Sequence, residues 1–215
     1  MIRALVFDFD GLILDTETSI IDAGELIHRR AGLPFSRQLA YEAVGRAELH
    51  YDQWAAFGPA ADRAALDAEL RRVNREMLQQ LPVLPGVRDY LQQARDLGLR
   101  LGVASNSGRA HVEGNLARLG LLEYFEYVRC IEDVPAGKPE PHLYLAVLEK
   151  FGLAGPEAIA LEDSEHGVHA AKRAGLRSVA VPGPSSLNHN FAHADLTLPS
   201  LAHCPLPDLL ARFAS

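Results

Sequence analysis

Cysteine is scarce: Cys130 and Cys204 are the only two, which excludes a disulfide-framework scaffold and suits a reducing compartment. No run of Lys or Arg occurs and the formal net charge is −7, so the chain has no means of neutralising phosphates in series, and no nucleic-acid partner is expected. No uninterrupted apolar stretch approaches membrane-spanning length, so no membrane partner is expected either. Met1 leads straight into an apolar run, leaving no room for a signal peptide, and a soluble, cytoplasmic protein is the expectation. Internal repeats and low-complexity segments are also lacking. What is present is 215 residues, 48% of them hydrophobic, enough for one large α/β domain or for a core domain with a small accessory one. A disordered chain would be more polar.

The segment Ile2-Arg3-Ala4-Leu5-Val6-Phe7-Asp8-Phe9-Asp10-Gly11 reads as a buried strand of a parallel sheet that ends in a glycine turn. Side chains alternate along a strand, so Asp8 and Asp10 point the same way and their charges repel. That arrangement asks for a cation, a shared proton or a positive neighbour. An ordinary Asp-rich turn at a strand end is the bland alternative.

From Ser19 the pattern turns helical up to Gly32, and further helices are predicted over Arg37–Val44, Ala47–Ala56 and Ala60–Leu81. Leu66, Leu70, Val73, Met77 and Leu81 form an apolar stripe in the last. No strand-like run occurs between Ser19 and Leu81, so an inserted all-helical unit with its own small core is expected there. After Leu81-Pro82-Val83-Leu84-Pro85-Gly86, strands and helices alternate. Strands are predicted at Leu99–Ala104, Tyr127–Cys130, Ala158–Leu161 and Ser178–Val181, with a short one at Asp195–Leu198, and helices lie between. The pattern predicts a doubly wound parallel sheet. Pro182–His193 reads as a surface loop.

Four strand ends carry distinctive polar residues: Asp8 and Asp10, Ser105-Asn106, Lys138 shortly after a strand, and Glu162-Asp163. In a doubly wound sheet these ends share one edge, where sites form. The carboxylates suit a hard divalent cation such as Mg²⁺. Lys138 offsets them and can contact a phosphoryl oxygen. Ser105, with the N–H groups of Asn106 and Ser107, can cradle an anion. One carboxylate is then left as nucleophile and a second as general acid/base, which suits phosphoryl transfer through an aspartyl-phosphate. Taken singly each residue has a plainer reading: Ser105 as a turn or cap, Lys138 as a solvated lysine, Glu162-Asp163-Ser164 as a helix cap. Their order, each after a strand, is what points to a site.

Asp8-Phe9-Asp10-Gly11-Leu12-Ile13-Leu14-Asp15-Thr16-Glu17 resembles the opening motif of the haloacid dehalogenase superfamily. Val103-Ala104-Ser105-Asn106-Ser107, Gly137-Lys138-Pro139-Glu140-Pro141 and Glu162-Asp163-Ser164-Glu165-His166-Gly167-Val168-His169-Ala170-Ala171 resemble its second, third and fourth motifs. The helical insertion is similar to the cap of the phosphoglycolate phosphatase and β-phosphoglucomutase branch. The fold so implied is α/β: a Rossmann-like doubly wound parallel sheet core (1–15 and 82–215) with an inserted all-α cap domain (16–81). The resemblance implies Asp8 as nucleophile and Asp10 as the acid that protonates the leaving group and then activates water. It implies Mg²⁺ held by Asp8, the Asp10 backbone carbonyl and Asp163, with Glu162 as a further direct or water-mediated ligand. Ser105 and Lys138 would bind the transferring phosphoryl group, with Asn106 beside them. Thr16 and Glu17 sit where the core hands over to the cap. The segment containing Gly45 and Arg46 resembles the specificity loop of this branch, and Arg46 is the candidate for a second part of the substrate, against a solvated surface arginine. The second aspartate favours a phosphate substrate over a haloacid.

The activity expected is a Mg²⁺-dependent phosphatase acting on a small phosphorylated metabolite such as a sugar phosphate, in a protein expected to be a monomer. A phosphomutase is the rival, but the mutase branch carries a histidine where this chain has Ile20. A receiver-like phosphoacceptor is a poorer one, since receivers lack a helical insertion after the first strand. Among nine histidines only His166 is placed near the acidic turn. His189, His193 and Cys204 could suggest zinc, though a loop coincidence accounts for them better. Tyr51 and Trp54 read as core residues of a helix in the insertion.

Overall fold

The computed structural model describes residues 1–43 and 51–214. Contacts divide the chain into two compact units: Met1–Leu14, Pro82–Gly183 and His189–Ser215 in one, Asp15–Leu81 and Pro184–Asn188 in the other.

The second unit is helical. Its helices are α1 (Thr16–Arg30), α2 (Arg37–Ala43) and α3 (Arg63–Leu78). α1 starts at Thr16 rather than at Ser19, because the Asp15 carboxylate accepts the Thr18 N–H at 3.1 Å and caps the helix. Asp62 caps α3 in the same way through the Ala65 N–H, at 3.0 Å. The helix expected over Ala47–Ala56 does not form in its described part: residues 51–54 carry no helix, and Ala55–Phe57 make one 3₁₀ turn. Asp52 accepts the Trp54 N–H locally and competes with helical bonding. The small core is Ala23, Ile27, Trp54, Leu70 and Val73, with Leu66 and Met77 packed against it. The Trp54 indole N–H donates to Asp67 at 2.7 Å, which satisfies the polar atom of a buried ring. Pro184–Asn188 clusters with these helices, whereas the sequence pattern leaves it with the sheet. The reason is local: the Ser185 hydroxyl donates to the Glu17 carboxylate.

The first unit is an α/β sheet of six strands: β1 (Ala4–Phe7), β2 (Arg100–Ala104), β3 (Tyr127–Arg129), β4 (Ala158–Glu162), β5 (Arg177–Ala180) and β6 (Leu196–Thr197). Their order is β3-β2-β1-β4-β5-β6 and every pairing is parallel, the Rossmann-like arrangement expected. Helices α4 (Val87–Asp96), α5 (Arg109–Arg118), α6 (His142–Phe151), α7 (Glu165–Arg173) and α8 (Leu206–Arg212) complete it. β1 and β4 are buried along their whole length, which is why they read as unbroken apolar runs. Ala4, Val6, Ala158 and Ala160 form one face, against which Leu143, Val147, Phe151 and Ala170 pack. Phe7 points to the other face, where its ring meets Phe125 edge-on at 5.7 Å.

Gly102 sits under α6: a Cβ there would meet Val147 Cγ1 at 2.8 Å and the Phe151 ring at 3.3 Å. Gly102→Val is therefore expected to destabilise the protein by about 1–3 kcal/mol, read as a lower urea midpoint at unchanged slope.

β1 lies between β2 and β4, so its C-terminal end is where the chain's connections part to opposite sides of the sheet. That switch point opens a crevice at the strand ends. No described helix is long and apolar enough to cross a membrane.

Candidate active site

Asp8 follows β1 directly, and its N–H donates to the Leu161 carbonyl at 3.0 Å, so the sheet ladder itself fixes this residue. Glu162 ends β4 and Asp163 follows it. Asp8, Glu162 and Asp163 are all buried and offer carboxylate oxygens that lie within 4.8 Å of one another, the only such group among the described residues. Gly11 makes room for the third: its φ is +77°, and a Cβ would collide with the Asp163 carboxylate. The turn is closed by the Gly11 N–H, which donates to Leu14 at 2.8 Å.

Lys138 reaches into this cluster. Its side chain is 4% exposed, and its Nζ lies 2.6 Å from Asp8 Oδ1 and 2.6 Å from Glu162 Oε1. Burial opposes the ammonium charge, but the Asp8 and Glu162 carboxylates outweigh it and hold the lysine above its ordinary pKa. Asp8 moves the other way. Burial pushes its carboxyl well above the usual range, Lys138 pulls it down, and Glu162 and Asp10 push it up again. The Tyr144 hydroxyl, one turn into α6, donates to Glu162 Oε1, and burial together with Glu162 keeps it protonated. Glu162 is thus committed to Lys138 and Tyr144. One lysine against this set of carboxylates leaves excess negative charge, and the donors are all oxygens with no His or Cys among them. This donor set fits a hard divalent cation of the Mg²⁺ type.

The loop after β2 orders the rest. Ser105 donates its N–H to the Arg129 carbonyl at 2.9 Å, and its Oγ accepts the Ser107 N–H at 3.0 Å. That N–H, expected from the sequence to be open for an anion, is taken up inside the loop. Asn106 clamps Lys138: its Oδ1 accepts the Lys138 N–H at 2.7 Å and its Nδ2 donates to the Lys138 carbonyl at 3.1 Å. Asn106 thereby positions the lysine with its side chain. Asp10 is not one of the three converging carboxylates. Its Oδ2 accepts from Ser107 Oγ at 2.5 Å and Ser105 Oγ at 3.5 Å, and its Oδ1 lies 2.9 Å from His111 Nε2. The hydrogen bond to Asp10 raises the His111 pKa above its usual value although burial opposes this.

The structure therefore brings together Asp8, Asp10, Ser105, Asn106, Lys138, Glu162 and Asp163. Thr16 and Glu17 belong to the helical unit, where Thr16 is buried and Glu17 accepts from Ser185. Gly45 and Arg46 lie outside the described residues. Three residues of the site are not among those singled out from the sequence: His111, Tyr144 and, as a side-chain donor, Ser107. His166, the histidine that is singled out, is exposed. The available signal for His111 was its place in the first turn of the helix after the Ser105-Asn106-Ser107 strand end.

A parallel sheet with buried carboxylates and a lysine at its switch point defines a class, and comparison supplies its name. Residues 5–181 match the haloacid dehalogenase-like hydrolase family model, and the chain belongs to that family. It is a phosphatase-type enzyme of that family, a phosphoric monoester hydrolase by class. It is 37% identical to YhcW of Bacillus subtilis, named as a candidate phosphatase, over 98% of this chain and 97% of the relative. It is 33% identical to hexitol phosphatase B of Escherichia coli K12, over 97% of each chain. A crystal structure from Thermotoga maritima, named as a candidate β-phosphoglucomutase, superposes with a TM-score of 0.83 at 26% identity, covering 98% of this chain and 99% of that one.

Proposed function

We propose that the protein is a Mg²⁺-dependent phosphatase of phosphorylated sugars or sugar alcohols that works through an aspartyl-phosphate on Asp8. The observation that carries this reading is the buried oxygen cluster of Asp8, Glu162 and Asp163 with Lys138 bridging two of its members. The hexitol phosphatase relative supports the substrate class.

An Asp8 carboxylate oxygen attacks phosphorus and the ester P–O bond breaks, while Asp10 gives a proton to the departing alkoxide. Water then attacks the phosphorus of the acyl-phosphate and gives its proton to Asp10, and the Asp8–phosphate bond breaks to release inorganic phosphate. Lys138 and the Ser105 hydroxyl are assigned to the charge on the transferring group, with Lys138 held in place by Asn106. Asp8 and Asp163, with the Asp10 backbone carbonyl, would hold a Mg²⁺, which when bound would supply charge neutralisation for the transferring group. Glu162 serves it by holding Lys138. Choice among sugar phosphates is assigned to residues of the helical unit, Arg46 first among them.

The test is phosphate release from a panel of sugar and sugar-alcohol phosphates and 4-nitrophenyl phosphate, with Mg²⁺ and with EDTA. Release that requires Mg²⁺ and is strongest on a sugar or sugar-alcohol phosphate is expected. Undiminished release in EDTA overturns the metal dependence. The mutase reading draws on the Thermotoga maritima structure, and it is distinguished by conversion of a sugar phosphate into its isomer. Ile20, 42% exposed on α1, stands against it, since isoleucine has no proton to exchange with a sugar hydroxyl.

A further inference from the structure

We infer that His111 is a positioning residue for Asp10, fixing the carboxyl that exchanges protons with the leaving group. The inference rests on the role of Asp10 proposed above, and it concerns a residue to which neither the family likeness nor the relatives' names assign any part.

The two oxygens of Asp10 are held by two different elements. Oδ2 accepts from Ser107 and Ser105, in the loop leaving β2. Oδ1 takes the imidazole of His111, in the first turn of α5, at 2.9 Å. A carboxyl held at one oxygen can swing about that hydrogen bond. Held at both, its plane is set, and the direction in which it offers its proton is set with it. The imidazole is itself oriented, because the Phe9 ring meets it edge-on at 5.5 Å and an interplanar angle of 89°. Phe9 lies between the two aspartates in the chain, so one short segment supplies the nucleophile, the acid and the surface that aligns the histidine. A carboxyl turned out of line delivers its proton poorly even when every residue that touches the phosphoryl group is intact.

The experiment compares His111→Ala and His111→Gln with wild type on two substrates: the sugar or sugar-alcohol phosphate turned over best, and 4-nitrophenyl phosphate. The value of kcat/KM reports the steps up to transfer of the phosphoryl group onto Asp8. An alkoxide leaving in that transfer needs the Asp10 proton, whereas 4-nitrophenolate leaves without one. For His111→Ala, kcat/KM on the alkyl ester is expected to fall about 10- to 100-fold. On the aryl ester it is expected to stay within about threefold of wild type, since general-acid help is not needed there. The Gln amide can donate to the same carboxylate, so His111→Gln is expected to recover most of the alkyl-ester rate while melting as the Ala variant does. Equal losses on both esters, no loss on either, or a Gln variant no better than Ala each overturn the inference. Failure of the underlying reading shows separately, with His111 intact: release that survives chelation or Asp8→Asn, or an Asp10→Asn variant that loses no more on the alkyl ester than on the aryl ester.

Discussion

Asp8→Asn is expected to abolish phosphate release, by at least about 10³-fold, because an amide cannot become an acyl-phosphate donor. The same substitution is expected to raise stability in the absence of metal. Burial pushes the Asp8 carboxyl above its ordinary pKa against the pull of Lys138, so the folded state holds this proton more tightly than the unfolded chain does. A folded pKa above the unfolded one stabilises at low pH, and that stabilisation is lost as pH rises from the ordinary carboxylate range through the raised value. In EDTA near neutral pH most of that stabilisation is gone, because the unfolded chain ionises this carboxyl freely while the fold must hold its proton or bury its charge, and Asn is spared both. The variant should melt about 2–8 °C above wild type under these conditions, for a relief of roughly 1–2 kcal/mol. The difference should shrink at acid pH, and Mg²⁺ should raise the melting temperature of wild type more than that of the variant. Retained turnover would sink the nucleophile assignment, and a variant that melts lower in EDTA would sink the electrostatic one.

The parts of this site legible in the sequence are those that sit on strand ends. β1 and β4 are buried on both faces, so their sequences are continuous apolar runs, and the first polar residue after each run marks the crevice. Asp8, Glu162 and Asp163 are legible that way, and Ser105 likewise at the end of β2. Residues delivered by a helix turn were not legible. Tyr144 reads as one more apolar-face residue of α6, and only the approach of α6 to the end of β4 makes its hydroxyl a partner of Glu162. His111 depends on the direction of α5 relative to a loop 101 residues earlier in sequence. The same limit explains the helix predicted near Trp54: its apolar spacing is helical, but Asp52 engages the local backbone, and the indole is buried with Ile27 and Val73 of the neighbouring helices instead. The tie between Ser185 and Glu17 spans 168 residues and carries no local signal at all.

The second large effect is expected at Lys138. It is the ammonium set between Asp8 and Glu162, and methionine keeps the length of its stem without the charge. Breaking a buried ion pair from one side costs about 3–5 kcal/mol, because the carboxylates left behind are unpaired. For a chain of this size that is a fall of roughly 6–20 °C in melting temperature, measured in EDTA. Phosphate release should drop about 10²–10³-fold as well, with the loss of a fixed positive charge at the transferring group. Stability and activity then respond differently to repair. Adding Glu162→Gln to Lys138→Met removes one of the stranded charges and leaves a group that can still accept from Tyr144. The double variant should therefore regain part of the lost stability, with a coupling between the two sites of about 0.5–3 kcal/mol. It should regain no activity, because no positive charge returns to the phosphoryl site. Mg²⁺ should recover stability in Lys138→Met more than in wild type, since a divalent cation at Asp8 and Asp163 offsets the same charge that the lysine did. Should Lys138→Met melt with wild type in EDTA, the carboxylates do not depend on the lysine, and the excess charge on which the proposed metal site rests is not there.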